Sequence, residues 1–148
     1  MIYLGADHRG FKLKEKAKQW LAELGYEFED CGAAEYNPAD DNPLFAEVVA
    51  RKVVATTYSR GILFCGSGVE IAIAANKIDG VRAGTITDPQ QAAAAVHDED
   101  LNILALPTDF VSVDQAKEII KFFLEAKFGG DERYLRRLEE IKELEKNN

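Results

Sequence analysis

Two short stretches of this chain carry side chains that can move protons. Cys65-Gly66-Ser67-Gly68 brings a thiol, a hydroxyl and several backbone amides to one point, and Asp7-His8 sets an acid beside an imidazole. Ile62 to Cys65 is apolar without a break, as in a strand buried on both faces. The glycines then turn the chain into an alanine-rich helical stretch, Val69 to Ala75, ending at Asn76-Lys77. The first N–H groups of a helix have no partner inside it, so Gly66, Ser67, Gly68, Val69 and Glu70 outline an anion pocket. The helix dipole there also favours the thiolate of Cys65. Thiol, hydroxyl, acid, imidazole and amide donors together suit proton transfer. Structural readings stand beside this one. Cys65 can be a small packed residue, Asp7 and Ser67 can be helix caps, His8 can be a surface residue, and Glu70 can serve only the electrostatics of a first helical turn. Each residue alone is weak evidence, and the two clusters at matching strand ends are stronger together.

The elements that must position them alternate. Strands are expected at Ile2 to Leu4, Tyr26 to Cys31, Ile62 to Cys65, Val81 to Thr87 and Leu101 to Leu106. Helices are expected at Phe11 to Leu24, Pro43 to Ala55 (Phe45, Val48, Val49, Val53 and Val54 inward), Val69 to Ala75, from the Asp88-Pro89 cap through Ala92 to Ala95, and at Val113 to Lys127. A final charged helix, Glu132 to Lys146, has a thin apolar stripe of Leu135, Leu138, Ile141 and Leu144 that fits either its own domain or a partner subunit. Strand–helix alternation predicts an α/β fold, a three-layer αβα sandwich around a Rossmann-like five-stranded parallel sheet. Ligands of such sheets bind beyond the carboxyl ends of the strands, near a switch in strand order. If the first and third strands are neighbours, Asp7-His8 faces Cys65. The loop from Gly32 to Asn42 is long enough to be functional.

Composition narrows the function. A chain of 148 residues suits a single domain, residues 1–148, and a net charge of -8 argues against nucleic acid. No apolar run approaches the roughly 20 residues of a membrane span. Met1 leads directly into Ile2-Tyr3-Leu4 without a charged segment, so no signal peptide is expected. Two cysteines, Cys31 and Cys65, make no disulfide framework and point to a reducing cytoplasm. No dinucleotide fingerprint, Walker motif or zinc spacing is present, so the expectation is a site without cofactor or metal.

At GADHRGFKLKEK, CGSGVEIAIAANKIDGVRAG, LNILALP and FGG with the later RRLEEI, the chain resembles the ribose-5-phosphate isomerase type B and galactose-6-phosphate isomerase family. The resemblance runs in order over nearly the whole chain. It implies a homodimer, able to pair into tetramers, with active sites between subunits, the last helix (about 131–146) at the interface, and a small sugar phosphate as substrate without metal or nucleotide. It also implies aldose–ketose isomerisation through a cis-enediolate. Cys65 matches the base, and Ser67 with the amides of Gly66 to Glu70 matches the group that holds the enediolate oxygen. Asp7 and His8 match the pair that handles the substrate's hydroxyl or phosphate end. Asn76, Lys77 and Arg82 match the motif's tail as structural support.

The chain also departs from that pattern. Glu70 stands where the family has glycine, and Asn42 where it has tyrosine, between Asp41 and Pro43. The family's Arg-x-His-Asn-Asp stretch falls on Val96, His97, Asp98, Glu99 and Asp100. The ring-opening histidine is thereby replaced by Asp98, with His97 one place early, about 100° around a helix. The arginine after the fifth strand falls on Asp109. Of the two arginines beyond the Gly-Gly, Arg137 aligns and Arg133 is a stand-in. Positive charge is lost from the expected phosphate end. The alternatives this opens are another or non-phosphorylated sugar, or a non-catalytic sugar-binding relative.

Overall fold

A computed structural model describes residues 1–148. The strands are β1 (Ile2–Ala6), β2 (Phe28–Asp30), β3 (Arg60–Cys65), β4 (Ala83–Thr85) and β5 (Ile103–Pro107). The helices are α1 (Phe11–Glu23), α2 (Asn42–Ala55), α3 (Val69–Ala75), α4 (Pro89–Glu99), α5 (Val113–Glu125) and α6 (Glu132–Lys146). The strands form one sheet in the order β2-β1-β3-β5-β4, every pair parallel. Parallel neighbours need crossovers, and each crossover here is a helix that covers a face.

Side chains alternate along a strand, so each inner strand feeds two cores. Ile62 and Phe64 of β3 join Leu13, Leu21, Ile119 and Phe123 of α1 and α5 on one face. Leu63 and Cys65 join Val49, Val53 and Ile71 of α2 and α3 on the other. The αβα sandwich expected from alternation is therefore the observed fold, and Cys65 points to the α2–α3 side.

Several boundaries differ from expectation. β4 holds three residues rather than seven, and β2 three rather than six. Both are edge strands with one neighbour, and each pairs with only the first three residues of that neighbour, which runs two residues further. In α2 the inward residues are Ala46, Val49, Ala50 and Val53, while Val48 and Val54 are exposed. The spacing 46, 49, 50, 53 is a single helical face, and small alanines let α2 lie close to the sheet. Val48 and Val54 fall outside that face. Asp88 caps α4 as expected, its Oδ1 accepting N–H bonds from Gln90 (2.8 Å) and Gln91 (3.2 Å). No helix is long and apolar enough to cross a membrane.

The β1–β3 register aligns Ala6 with Phe64, which brings Asp7 and Cys65, the next residue of each strand, to the same level. The chain then passes so close to β3 at Gly10 that a Cβ there would lie 2.2 Å from the Phe64 carbonyl oxygen. That neighbour is backbone and cannot swing aside. Gly10→Ala should destabilise the protein by at least the ~1–3 kcal/mol typical of overpacking, read as a lower urea midpoint with an unchanged slope.

Candidate active site

The cleft at the carboxyl ends of β1 and β3 is lined by Asp7, His8, Arg9, Asp40, Asp41, Asn42, Cys65, Gly66, Ser67 and Glu70, with Pro43 and Leu44 at its edge. Both motifs singled out in the sequence thus open into one cavity. The sulfur of Cys65 is nearly buried and accepts the Gly68 N–H at 3.1 Å. Gly68 manages this with a left-handed φ of 72°, which suits glycine. Ser67 is exposed at the turn, and its Oγ accepts the Val69 N–H at 3.2 Å. Two amides of the expected anion cradle are therefore engaged within the chain.

The thiol reverses one expectation. Burial pushes the Cys65 pKa above its ordinary value, and the N–H bonds from Gly68 and Ile71 pull back only part of that rise. Nearby Asp7 raises it further. A seven-residue helix provides a modest dipole, and desolvation of the sulfur outweighs it. In the free chain the thiol is the neutral species at pH 7.

Asp7 is buried, and its Oδ1 accepts N–H bonds from Arg9 and Gly10, both at 3.0 Å. Asp7 therefore closes the turn before α1 rather than capping the helix, whose N-cap is Gly10 without a side-chain bond, and it also stands on the cleft wall. His8 is held by Asp40, whose Oδ1 accepts the His8 backbone N–H and contacts the ring Nδ1, each at 2.8 Å. Asp40 did not emerge from the sequence reading. The available signal was the pair Asp40-Asp41 in a loop already marked as functional. That loop is moored by Lys14, a fully buried lysine whose ammonium donates to Asp30 at 2.6 Å and to the Ala33 carbonyl at 2.7 Å.

Three departures from the resembled pattern have partners in the fold. Asn42 Nδ2 donates to Glu70 Oε2 at 2.9 Å, so the tyrosine-to-asparagine and glycine-to-glutamate changes form one contact. Asp109, in the arginine's place after β5, is ion-paired with Arg9. Arg9 lies over the glycine turn, since a Cβ on Gly66 would fall 2.4 Å from its Cζ.

The remaining expected site residues lie elsewhere in the chain. α4 runs antiparallel to the strands, so His97, in its last turn, sits at the edge where strands begin. There it contacts Asp98 at 2.7 Å and packs edge-on against Tyr134. Arg133 donates to the Tyr134 hydroxyl at 2.9 Å and stacks on its ring, and Arg137 is exposed one turn further on. α6 then continues along the same edge, where Glu145 accepts the Gly80 N–H at 2.8 Å. A single chain therefore does not bring His97, Arg133 or Arg137 to Cys65. No cluster of three or more His, Cys, Asp or Glu side chains has the arrangement of a metal site.

Comparison with known proteins agrees with this fold. The Ribose/Galactose Isomerase family matches residues 2–141. Ribose-5-phosphate isomerase B of Escherichia coli is 38% identical over 144 residues, covering 97% of this chain and 95% of that protein. The Mycobacterium tuberculosis protein of the same name is 34% identical over 147 residues, covering 99% and 91%. A structure of ribose-5-phosphate isomerase B from Mycoplasma genitalium with bound ribulose-5-phosphate superposes with a TM-score of 0.94 at 34% identity, covering 99% of this chain and 97% of that one.

A raised thiol pKa has a direct readout. Alkylation of Cys65 in the free protein should be slow at pH 7 and accelerate only as pH passes the ordinary thiol range. Cys65→Ser serves as the blank, because burial also pushes Cys31 to about 11. Rapid alkylation of Cys65 at pH 7 would contradict the burial argument.

Proposed function

Because this chain belongs to the ribose/galactose isomerase family, we propose that it interconverts an aldose and a ketose phosphate of the ribose 5-phosphate/ribulose 5-phosphate type, with Cys65 as the base. Such an isomerase is an intramolecular oxidoreductase: one carbon is oxidised as its neighbour is reduced. The observation that carries the assignment is the convergence of Cys65, Asp7, His8 and the Gly66–Glu70 turn on one cleft.

The reaction needs a proton removed from the carbon beside a carbonyl. The Cys65 thiolate takes it from C2 of the open aldose, and the electron pair moves onto the carbonyl oxygen to give a cis-enediolate. The O2–H proton passes to O1, the same sulfur returns a proton to C1, and the ketose results. A thiol with a raised pKa is a stronger base once ionised, although less of it is ionised at neutral pH. In this reading Ser67, exposed at the turn, and the turn's amides hydrogen-bond the enediolate oxygen. Asp7 and His8 orient hydroxyls from the facing strand end.

The active unit in this reading is a homodimer. The α6 residues Leu135, Ile141 and Leu144 are exposed and form an apolar stripe. A second copy is also the one source of His97, Arg133 and Arg137 for the cleft, since in their own chain they occupy the opposite edge. Those arginines would supply the positive charge a phosphate needs, because Asp7, Asp40, Asp41 and Glu70 dominate the cleft and Arg9 is paired with Asp109. The same acidic wall favours a second reading, a sugar without phosphate.

Three measurements test this. Cys65→Ser should reduce exchange of the C2 proton with solvent deuterium by roughly 10²- to 10⁴-fold, the usual value of a positioned base; unchanged exchange removes Cys65 from the mechanism. In the wild type, kcat/KM should rise with pH until it passes the ordinary thiol range, because the base must be deprotonated and its pKa is raised. Sedimentation should give about twice the 16.4 kDa chain mass, and Leu135→Asp with Ile141→Asp should shift it to the monomer.

A further inference from the structure

If the base reading holds, a second proton-transfer group is required. An aldopentose 5-phosphate in water is mostly a closed ring, and a closed ring has no carbonyl to acidify the C2 proton. Opening it requires a proton taken from the anomeric O1–H and a proton given to the ring oxygen O4. Sulfur buried against α2 and α3 is assigned to the carbon proton. Imidazole is the side chain whose ordinary pKa allows both halves of such a transfer near neutrality. The chain has two histidines, and His97 reaches the cleft only from a second copy, its Nδ1 held by Asp98. His8 is the one on the cleft wall.

We propose that His8 opens the sugar ring and that Asp40 is its positioning residue; the proposal rests on the isomerase reading above. Asp40 Oδ1 lies 2.8 Å from both the His8 backbone N–H and Nδ1. This carboxylate contact puts a proton on Nδ1, fixes the ring plane and leaves Nε2 with its lone pair. Nε2 has no protein partner and is not buried without one. It takes the proton from O1–H. The electron pair of that bond becomes the C1=O1 carbonyl bond, the C1–O4 bond breaks, and its pair goes to O4. The imidazolium then gives the same proton to O4. No proton is gained or lost overall, and no co-reactant is needed.

A second feature of Asp40 fits the transient imidazolium. Its side chain is only 9% exposed, and its Oδ2 is buried without any hydrogen-bond partner. A buried carboxylate oxygen without a donor calls for a reason. A carboxylate whose side-chain partner is one imidazole is suited to stabilise the positive charge when that ring becomes protonated. The other charged groups on this wall, Asp7, Arg9, Asp41 and Glu70, are engaged otherwise or face solvent: Asp7 with the Arg9 and Gly10 amides, Arg9 with Asp109, and Glu70 with Asn42.

One pair of sugars separates ring opening from carbon deprotonation. Aldopentose 5-phosphate enters closed. In ketopentose 5-phosphate the hydroxyl that would close a five-membered ring carries the phosphate, so the compound enters open. Turnover of the aldose therefore needs both groups, and wash-in of solvent deuterium at C1 of the ketose needs the base alone. His8→Asn should lower kcat on the aldose roughly 100-fold more than it lowers wash-in, within the range of general acid–base assistance. Asp40→Ala should show the same split. Asp40→Asn keeps an acceptor for Nδ1–H without the charge and should fall between Asp40→Ala and the wild type. Circular dichroism confirms that each variant is folded. Equal losses in the two assays, or no loss in either, overturn the assignment. Wash-in that survives Cys65→Ser overturns the base reading separately, because the His8 split is measured without that variant. A wild-type protein that processes neither sugar removes both.

Discussion

The parallel pairing of β1 with β3 is the contact on which the site depends. Its register sets Ala6 level with Phe64, and one residue further on the two strands release Asp7-His8 and Cys65 into the same cleft. A slip by one residue would turn every side chain of a strand to the other face. Cys65 would then point toward α1 and α5 instead of α2 and α3. The register is locked from both sides of the sheet, by Ile62 and Phe64 in one core and Leu63 and Cys65 in the other. The close approach of Gly10 to the Phe64 carbonyl pins the β1 loop directly beneath the cleft. Folding energy and site geometry are in this respect the same contacts.

Electrostatics divides the cleft into two kinds of group. Cys65 sits where desolvation dominates, and one 3.1 Å N–H bond does not reverse its effect. His8 sits at the wet margin, tied to a carboxylate that is drier than the ring it holds, 9% exposed against 29%. A deep sulfur and a shallow imidazole suit protons of different kinds, one on carbon and one on oxygen. Their separation onto two strands lets each environment be set independently.

The departures from the family pattern become simpler in three dimensions. Glu70 read alone adds a repulsive charge, and Asn42 read alone loses an aromatic ring. Together they are a 2.9 Å hydrogen bond across the cleft mouth. Asp109 removes a cation from the loop after β5, yet it is paired with Arg9 from the loop after β1. The cleft of the single chain is left acidic.

How far the chain could be understood without coordinates follows from the range of each interaction. The apolar run Ile62 to Cys65, the glycine turn after it, the Asp88 cap and the strand–helix alternation were legible because contiguous residues encode periodicity and turn chemistry. The same local signals placed a thiol and an acid–imidazole pair at strand ends. Tertiary structure alone decided the rest. Asp40 is the partner of His8 through a contact between residues distant in sequence, in a loop whose start Lys14 bonds at Ala33. His97, Arg133 and Arg137 were assigned to the site by their positions in a motif, but an antiparallel helix carries His97 to the far edge of the sheet. The buried face of α2 kept Val49 and Val53, lost Val48 and Val54 and gained Ala46 and Ala50, because position around the helix, rather than residue hydrophobicity, selects what is buried. The thiol's acidity reversed because burial depends on what packs over a residue, which no local spacing records.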